Sequence, residues 1–247
     1  VSKPTILKLL ADLGTACAKY QDEKLRNLPC RRVQADEIWS FCFAKDKNLS
    51  DEMKSKFGFG SVWTWTAICA DTKLMISWLT GERSVPYAVQ FIDDLASRLA
   101  HRVQLTTDGH KPYLRAVEGA FGADIDYAVL EKIYAAPPHE GVTTRYSPAQ
   151  CCGTKTHKII CNPDSEHIST SYAERINLQI RMGMRRFTRL TNAHSKKVEN
   201  HRHALALYFM YYNFARIYST LRVTPAMQAG VSDHVWSLEE IVRVLDW

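Results

Sequence analysis

The sequence has 247 residues, of which 46% are hydrophobic, and a formal net charge of +6 at pH 7. This length and composition exclude a disordered chain and fit one large domain with appendages or two small domains. No run of about 18 apolar residues and no signal-peptide core occur, and the seven cysteines lack regular spacing. We therefore expect a cytoplasmic protein with reduced thiols and no membrane partner.

The first part of the chain is predicted to form a helix followed by an antiparallel meander. Apolar residues at helical spacing predict the helix over residues 3 to 28. Aromatic and β-branched residues predict three strands, over residues 33 to 44, 62 to 70 and 74 to 79. A polar loop at residues 48 to 60 and a tight turn at Asp71 connect these strands.

The pattern then changes to alternating helices and strands. Helical spacing of apolar residues predicts two helices, over residues 85 to 99 and 111 to 119. Two further strands are predicted between and after them, over residues 103 to 107 and 126 to 134. Together these elements predict an α/β fold with a mixed five-stranded sheet flanked by helices. Ligand sites in such sheets collect at the carboxyl ends of strands.

The last third is predicted to be irregular at first and then helical. Residues 135 to 168 contain several prolines and little periodicity, which indicates an irregular insertion. Three helices are expected after it, over residues 171 to 190, 198 to 218 and 237 to 245, the last with Ser237 and Glu240 as a capping box. The predicted domains are an N-terminal helical segment at 1–30, a core at 31–227 and a C-terminal helical tail at 228–247.

Three carboxylates on separate predicted elements are candidate metal ligands. Asp36 lies in the first strand, Asp108 ends the fourth strand, and Glu174 opens a long basic helix. Two divalent ions about 3.5–4 Å apart can activate water and stabilise a leaving oxygen when hard oxygen ligands hold them. The three carboxylates therefore indicate an enzyme that cuts nucleic acid.

Each of these carboxylates also has a structural interpretation. Asp36 is costly to bury in a strand unless it is paired or metal-bound. Strand alternation directs Glu37 to the opposite face, so only one of the two can join the site. Asp108 could be an ordinary turn residue at the end of a strand, and Glu174 could form a capping box with Ser171. Only the combination of all three favours a metal site.

The positive charge is concentrated in residues 169 to 203, which contain eight Lys and Arg side chains and two Glu, and so carry the whole net charge. A localised positive field suits a phosphate polymer, although a solvated helix face is the common alternative. On a continuous helix, four polar residues would lie within about 60° of Glu174. They are Asn177, Arg181, Arg185 and Arg189.

Cysteines and histidines give weaker signals. Five of them cluster in sequence without the spacing of a zinc site, namely Cys151, Cys152, His157, Cys161 and His167. We expect His201 and His203 at the surface or against phosphate.

Several segments, in order, resemble transposases of bacterial insertion sequences, of the DDE class with an RNase H-like catalytic core. The resemblance extends from about residue 30 to 242. The segments that carry it are DEIWSF from Asp36, VWTWTAICADTK from Val62, LTTDGH from Leu105, STSYAERINLQIRMGMRRFTRLTNA from Ser169 and ALYFMYYNFARIYSTLRVTPAM from Ala206.

The resemblance implies that Asp36, Asp108 and Glu174 are a catalytic triad that binds two Mg²⁺ or Mn²⁺ ions. It implies phosphodiester hydrolysis at the ends of an element, followed by transfer of the 3′-hydroxyl into target DNA. The partners would be double-stranded DNA, as terminal repeats and target, and further copies of the chain, in a bacterial cytoplasm at the nucleoid. The implied DNA-binding residues are Arg175, Asn177, Arg181, Arg185, Arg186, Arg189, Lys196 and Lys197.

Two departures from the family pattern bear on this expectation. VSKPTILKLLADLG looks like only the second helix of a helix-turn-helix, so we expect a partial DNA-reading segment. Tyr218 stands where similar proteins often have His. Two alternatives therefore stay open: a truncated or repurposed DNA-binding relative without catalysis, and a plain RNase H-like nuclease that cuts without joining.

Overall fold

A six-stranded mixed sheet forms the centre of the computed structural model, which describes residues 1–135 and 151–246. The strands are β1 Arg32–Cys42, β2 Gly60–Cys69, β3 Met75–Gly81, β4 Gln104–Thr107, β5 Asp126–Tyr134 and β6 Cys151–Ile160. Their order in the sheet is β3-β2-β1-β4-β5-β6. Strands β1 to β3 form the predicted antiparallel meander. Strands β4 and β5 run parallel to β1, and β6 is antiparallel to β5.

Helices cover the sheet, so the predicted α/β class with a mixed sheet is confirmed. The helices are α1 Lys3–Lys24, α2 Asp51–Lys54, α3 Val85–Arg98, α4 Pro112–Phe121, α5 Ser171–Gly183, α6 Val198–Met210, α7 Pro225–Gln228 and α8 Leu238–Arg243. The Ser237 and Glu240 side chains form the predicted capping box at α8. No helix in the described part of the chain is long and apolar enough to cross a membrane.

The predicted number of strands, five, is wrong because β6 lies inside the segment expected to be irregular. Nearly all residues of β6 are exposed, so the strand has no buried face and its sequence lacks the apolar alternation that marks a strand. It is held by pairing with β5 at the edge of the sheet. Residues 136–150 of the predicted insertion lie outside the described residues.

The predicted length of the basic helix is also wrong. Helix α5 ends at Gly183, and Met184 adopts an extended conformation with φ −128° and ψ 102°. A Cβ atom on Gly183 would lie 2.9 Å from Cε2 of Tyr208. The chain leaves the helix so that Met184 and Phe187, which are 9% and 1% exposed, can enter the core. Arginines beyond this point therefore do not continue the helix face that carries Glu174.

The core occupies both faces of the sheet, and β1 contributes to each in alternation. Ala35 belongs to the core cluster beneath α3 and α4, whereas Ile38 packs in the cluster that includes α5 and α6. Helix α1 adds Leu13 and Cys17 to the first cluster. That α1 is a remnant of a helix-turn-helix stays a prediction, as do the domain boundaries.

Candidate active site

The short strand β4 creates an opening beside β1. Thr107, the last residue of β4, pairs with Ala35 of β1. The next residues of β1 therefore have no paired residue of β4 beside them. Asp36 and Glu37 occupy this position, and Asp108 follows directly after β4. One carboxylate oxygen from each of these three residues lies within 4.8 Å of the others. This acidic group could hold a metal ion.

Asp36 faces α5 and is held by two hydrogen bonds. Its Oδ1 accepts from the backbone N–H of Glu37 at 2.8 Å, and its Oδ2 accepts from Nδ2 of Asn177 at 2.8 Å. Asp36 is partly exposed to solvent, but both of its carboxylate oxygens accept hydrogen bonds from protein groups. Burial above all, then the charges of Asp108 and Glu174, raises the pKa of Asp36 to about 7 against two opposing hydrogen bonds.

Glu37 joins the acidic group, so the expectation that only one of the two neighbours could do so is wrong. Its side chain is 1% exposed, and burial followed by the charge of Asp108 raises its pKa to about 8. Glu37 does point to the opposite face of β1 from Asp36. However, β4 ends before this position, so no neighbouring strand separates the two side chains on that side. The Oε2 atom of Glu37 accepts from Arg83 at 3.2 Å, and the nearby hydroxyl of Tyr113 stabilises the ionised carboxylate, which opposes part of the rise in its pKa.

Glu174 lies in the same cleft, in the first turn of α5. Its Oε1 accepts from the hydroxyl of Thr170 at 2.7 Å, and its Oε2 forms an ion pair with Lys132. The capping box with Ser171 does not form, because Thr170 is the N-cap residue and makes no side-chain cap. The cleft thus brings the three predicted carboxylates together, with Glu174 outside the compact acidic group.

Four cations line the cleft beside its carboxylates: Arg83, Lys111, Lys132 and Arg181. Arg83 lies 3.6 Å from Asp108 in addition to its contact with Glu37, and Lys132 pairs with Glu174. Of these, only Arg181 was predicted. Arg83 and Lys132 belong to no motif and reach the site through the fold, so no pattern in the sequence marked them.

The predicted DNA-binding residues fall into two groups. Five are exposed: Arg175, Arg185, Arg189, Lys196 and Lys197. The other three are more buried. Asn177 is 5% exposed and donates a hydrogen bond to Asp36. Arg181 lines the acidic cleft. Arg186 donates to Oγ of Ser195 at 3.2 Å.

The expected surface position of His201 is wrong, because its side chain is fully buried. Its two ring nitrogens contact Ser195 and Ser40. The cysteines and histidines considered for zinc do not assemble. Among the described residues, the acidic group of Asp36, Glu37 and Asp108 is the one cluster with potential metal-ligand geometry.

Comparisons with known proteins give little further information. No family model matches the sequence, and no curated protein matches it. Among solved structures, the chain is similar to a piggyBac transposase in a synaptic complex with hairpin DNA, with a TM-score of 0.37 and 12% sequence identity. The match covers 88% of this chain and 52% of that chain, so this protein spans about half the length of that transposase chain. Such a distant likeness carries no argument about function.

Proposed function

We propose that this chain is a DDE transposase of the bacterial insertion-sequence type, which cleaves and joins DNA with two divalent metal ions at Asp36, Asp108 and Glu174. The observation that carries the proposal is the meeting of these carboxylates, with Glu37, in one open cleft where β4 ends. Strands β1 to β5 supply the mixed five-stranded sheet expected of an RNase H-like core, which β6 extends at one edge.

The donor set fits hard divalent cations. Three carboxylate oxygens within 4.8 Å of one another repel when they are ionised, and burial raises the cost further. Mg²⁺ and Mn²⁺ prefer oxygen ligands and would offset that repulsion. The buried carboxylate of Glu37 is one of these three donors, in addition to the predicted ligands. Metal ions held here would supply the activation of water and the stabilisation of the leaving oxygen.

The other residues of the cleft orient and balance these ligands. Asn177 fixes the carboxylate of Asp36 through its 2.8 Å hydrogen bond. Arg83 and Lys132 neutralise part of the negative charge. The exposed cations on and after α5 would hold the phosphates of double-stranded DNA. Because element ends and target must meet at such sites, the proposal includes an oligomer of this chain on DNA.

A nicking and joining assay tests the proposal. Supercoiled plasmid and labelled duplex DNA are incubated with the chain in Mg²⁺ or Mn²⁺, beside Asp108→Asn and a control, Asp124→Asn, whose side chain is 81% exposed. We expect cleavage and joining by the parent and the control, and neither by Asp108→Asn. Cleavage without joining would identify a plain nuclease instead, and DNA binding without cleavage would identify a non-catalytic relative.

A further inference from the structure

A second cleft lies at the far end of β1 and is strongly basic. Lys45, Lys47, Arg185 and Lys196 line it, and none of the described residues that line it is acidic. Asp46 is nearby in sequence, but its carboxylate accepts hydrogen bonds from the backbone and hydroxyl of Ser61. The cleft therefore presents a positive potential that suits a chain of phosphates.

Aromatic rings form the floor and rim of this basic cleft. The ring of His194 stacks on Phe41 with a centroid distance of 4.7 Å and an interplanar angle of 30°. The Nζ atom of Lys45 lies 5.5 Å from the Phe41 centroid. Phe43 is 41% exposed at the rim. Flat rings beside ammonium groups are the combination that binds unpaired bases and their phosphates.

Aromatic side chains on one face of the sheet lie between the basic cleft and the acidic cleft. Glu37, Trp39 and Phe41 share one face of β1 by strand alternation, and Trp39 is paired in register with Trp63 of β2. The rings of Trp39 and Phe41 are 5.7 Å apart. Arg83 closes the series, because its guanidinium lies 4.8 Å from the Trp63 centroid and pairs with Glu37. The two clefts are thus about 13 Å apart along β1.

We propose that this strip, defined as Trp39, Trp63, Phe43, His194, Lys45 and Lys196, binds a single strand of DNA that enters the acidic cleft. The inference rests on the proposed function, since it names the form of DNA which that site receives. A blunt duplex offers the strip only phosphates, because its bases are stacked on one another. A DNA end with unpaired nucleotides offers both phosphates for the cations and bases for the rings.

The test is a binding measurement in EDTA, which needs neither metal nor cleavage. Fluorescence anisotropy compares a blunt duplex, the same duplex with a single-stranded tail, and a single-stranded RNA of the tail sequence. Phe43→Asn removes an exposed ring at a position with φ 66°, a conformation that asparagine tolerates. Lys45→Ala with Lys196→Ala removes two cations, and Arg31→Ala with Arg243→Ala is the control of equal charge at exposed positions that line neither cleft.

We expect the parent to bind the tailed duplex roughly tenfold more tightly than the blunt one. Phe43→Asn should lose most of that preference and keep its affinity for blunt DNA, and the double lysine variant should lose affinity for the tail while the control does not. Equal affinity for blunt and tailed DNA would overturn the inference, as would tighter binding of the RNA. Thermal unfolding confirms that each variant is folded.

The binding measurement and the nicking and joining assay together separate this inference from the proposed function. Asp108→Asn should retain the preference for tailed DNA while losing cleavage. A parent that prefers tailed DNA but never cleaves in Mn²⁺ would refute the enzyme and leave the strand-binding strip. A parent that cleaves blunt and tailed DNA equally, and binds them equally, would refute the strip and leave the enzyme.

Discussion

Acid should destabilise this protein through His201, whose protonation the fold opposes. The side chain is fully buried, and its Nδ1 and Nε2 lie 2.9 Å and 3.3 Å from the hydroxyls of Ser195 and Ser40. Burial first, and then the charges of Arg186 and Arg202, lowers the pKa of His201 from 6.5 to about 4. The unfolded chain therefore binds a proton at this residue before the folded chain does.

The direction and size of the effect follow from that difference in pKa. Well above pH 6.5 the imidazole is neutral in both the folded and the unfolded state, so its titration does not change the free energy of unfolding there. Between pH 6.5 and about pH 4 only the unfolded state gains the proton, and the free energy of unfolding falls as the pH falls. The full loss is about 3 kcal/mol.

Urea unfolding at pH values from 7 to 4.5 measures this loss, with parent, His201→Gln and the exposed control His101→Gln. Asp36 and Glu37 act in the opposite sense, because their raised pKa values make protonation favour the folded state. Comparison with the variant removes their contribution. We expect the free energy of unfolding of the parent and of the His101 variant, each taken relative to His201→Gln, to fall by about 2 kcal/mol between pH 7 and pH 4.5. Parallel curves for all three proteins would refute the reasoning.

Three further predictions concern the metal site and the packing of α1. Mn²⁺ should raise the Tm more at pH 8 than at pH 6, because carboxyls with pKa values of about 7 and about 8 must ionise to bind it; an equal rise at both values would contradict this. Glu37→Gln should weaken Mn²⁺ binding in isothermal titration, whereas Glu131→Gln, in the same cleft but outside the acidic group, should not; identical losses would exclude a specific role for Glu37. Gly14→Ala should cost about 3 kcal/mol in urea unfolding, since its Cβ would lie 2.5 Å from Cβ of His203. Gly119→Ala, with no atom within 4 Å, should be neutral or stabilising by about 0.5–1 kcal/mol, and similar losses for both would show that close packing is not the cause.

Local patterns were enough to predict most of the sheet. Strands with a buried face, such as β1 and β2, carry aromatic and β-branched residues that mark them in any context. The exposed strand β6 carries no such pattern, because its stability comes from backbone pairing with β5. The end of α5 could not be predicted from the sequence either, because Gly183 lies within the helical pattern. The helix ends there because of the contact with Tyr208 and the burial of Phe187.

The candidate site shows the same limit at the level of single residues. Asp36 could be selected because it is an acidic residue within a predicted strand, and Asp108 and Glu174 because each stands at the end of a predicted strand or helix. Glu37 could not, because its place in the acidic group depends on where β4 ends relative to β1. Arg83 reaches the site from beyond β3, 46 residues further along the chain than Glu37. Contacts of that kind are set by the topology of the sheet.

The central claim is that the acidic cleft binds divalent metal for phosphodiester chemistry, and titration with Mn²⁺ followed by electron paramagnetic resonance tests it most directly. The measurement needs no knowledge of the DNA sequence that the protein recognises. At pH 8 the account predicts two bound Mn²⁺ ions per chain, which would be magnetically coupled if both are held in this one cleft, and loss of that coupled signal in Asp36→Asn. No bound Mn²⁺ in the parent, or the same signal in both proteins, would contradict the account.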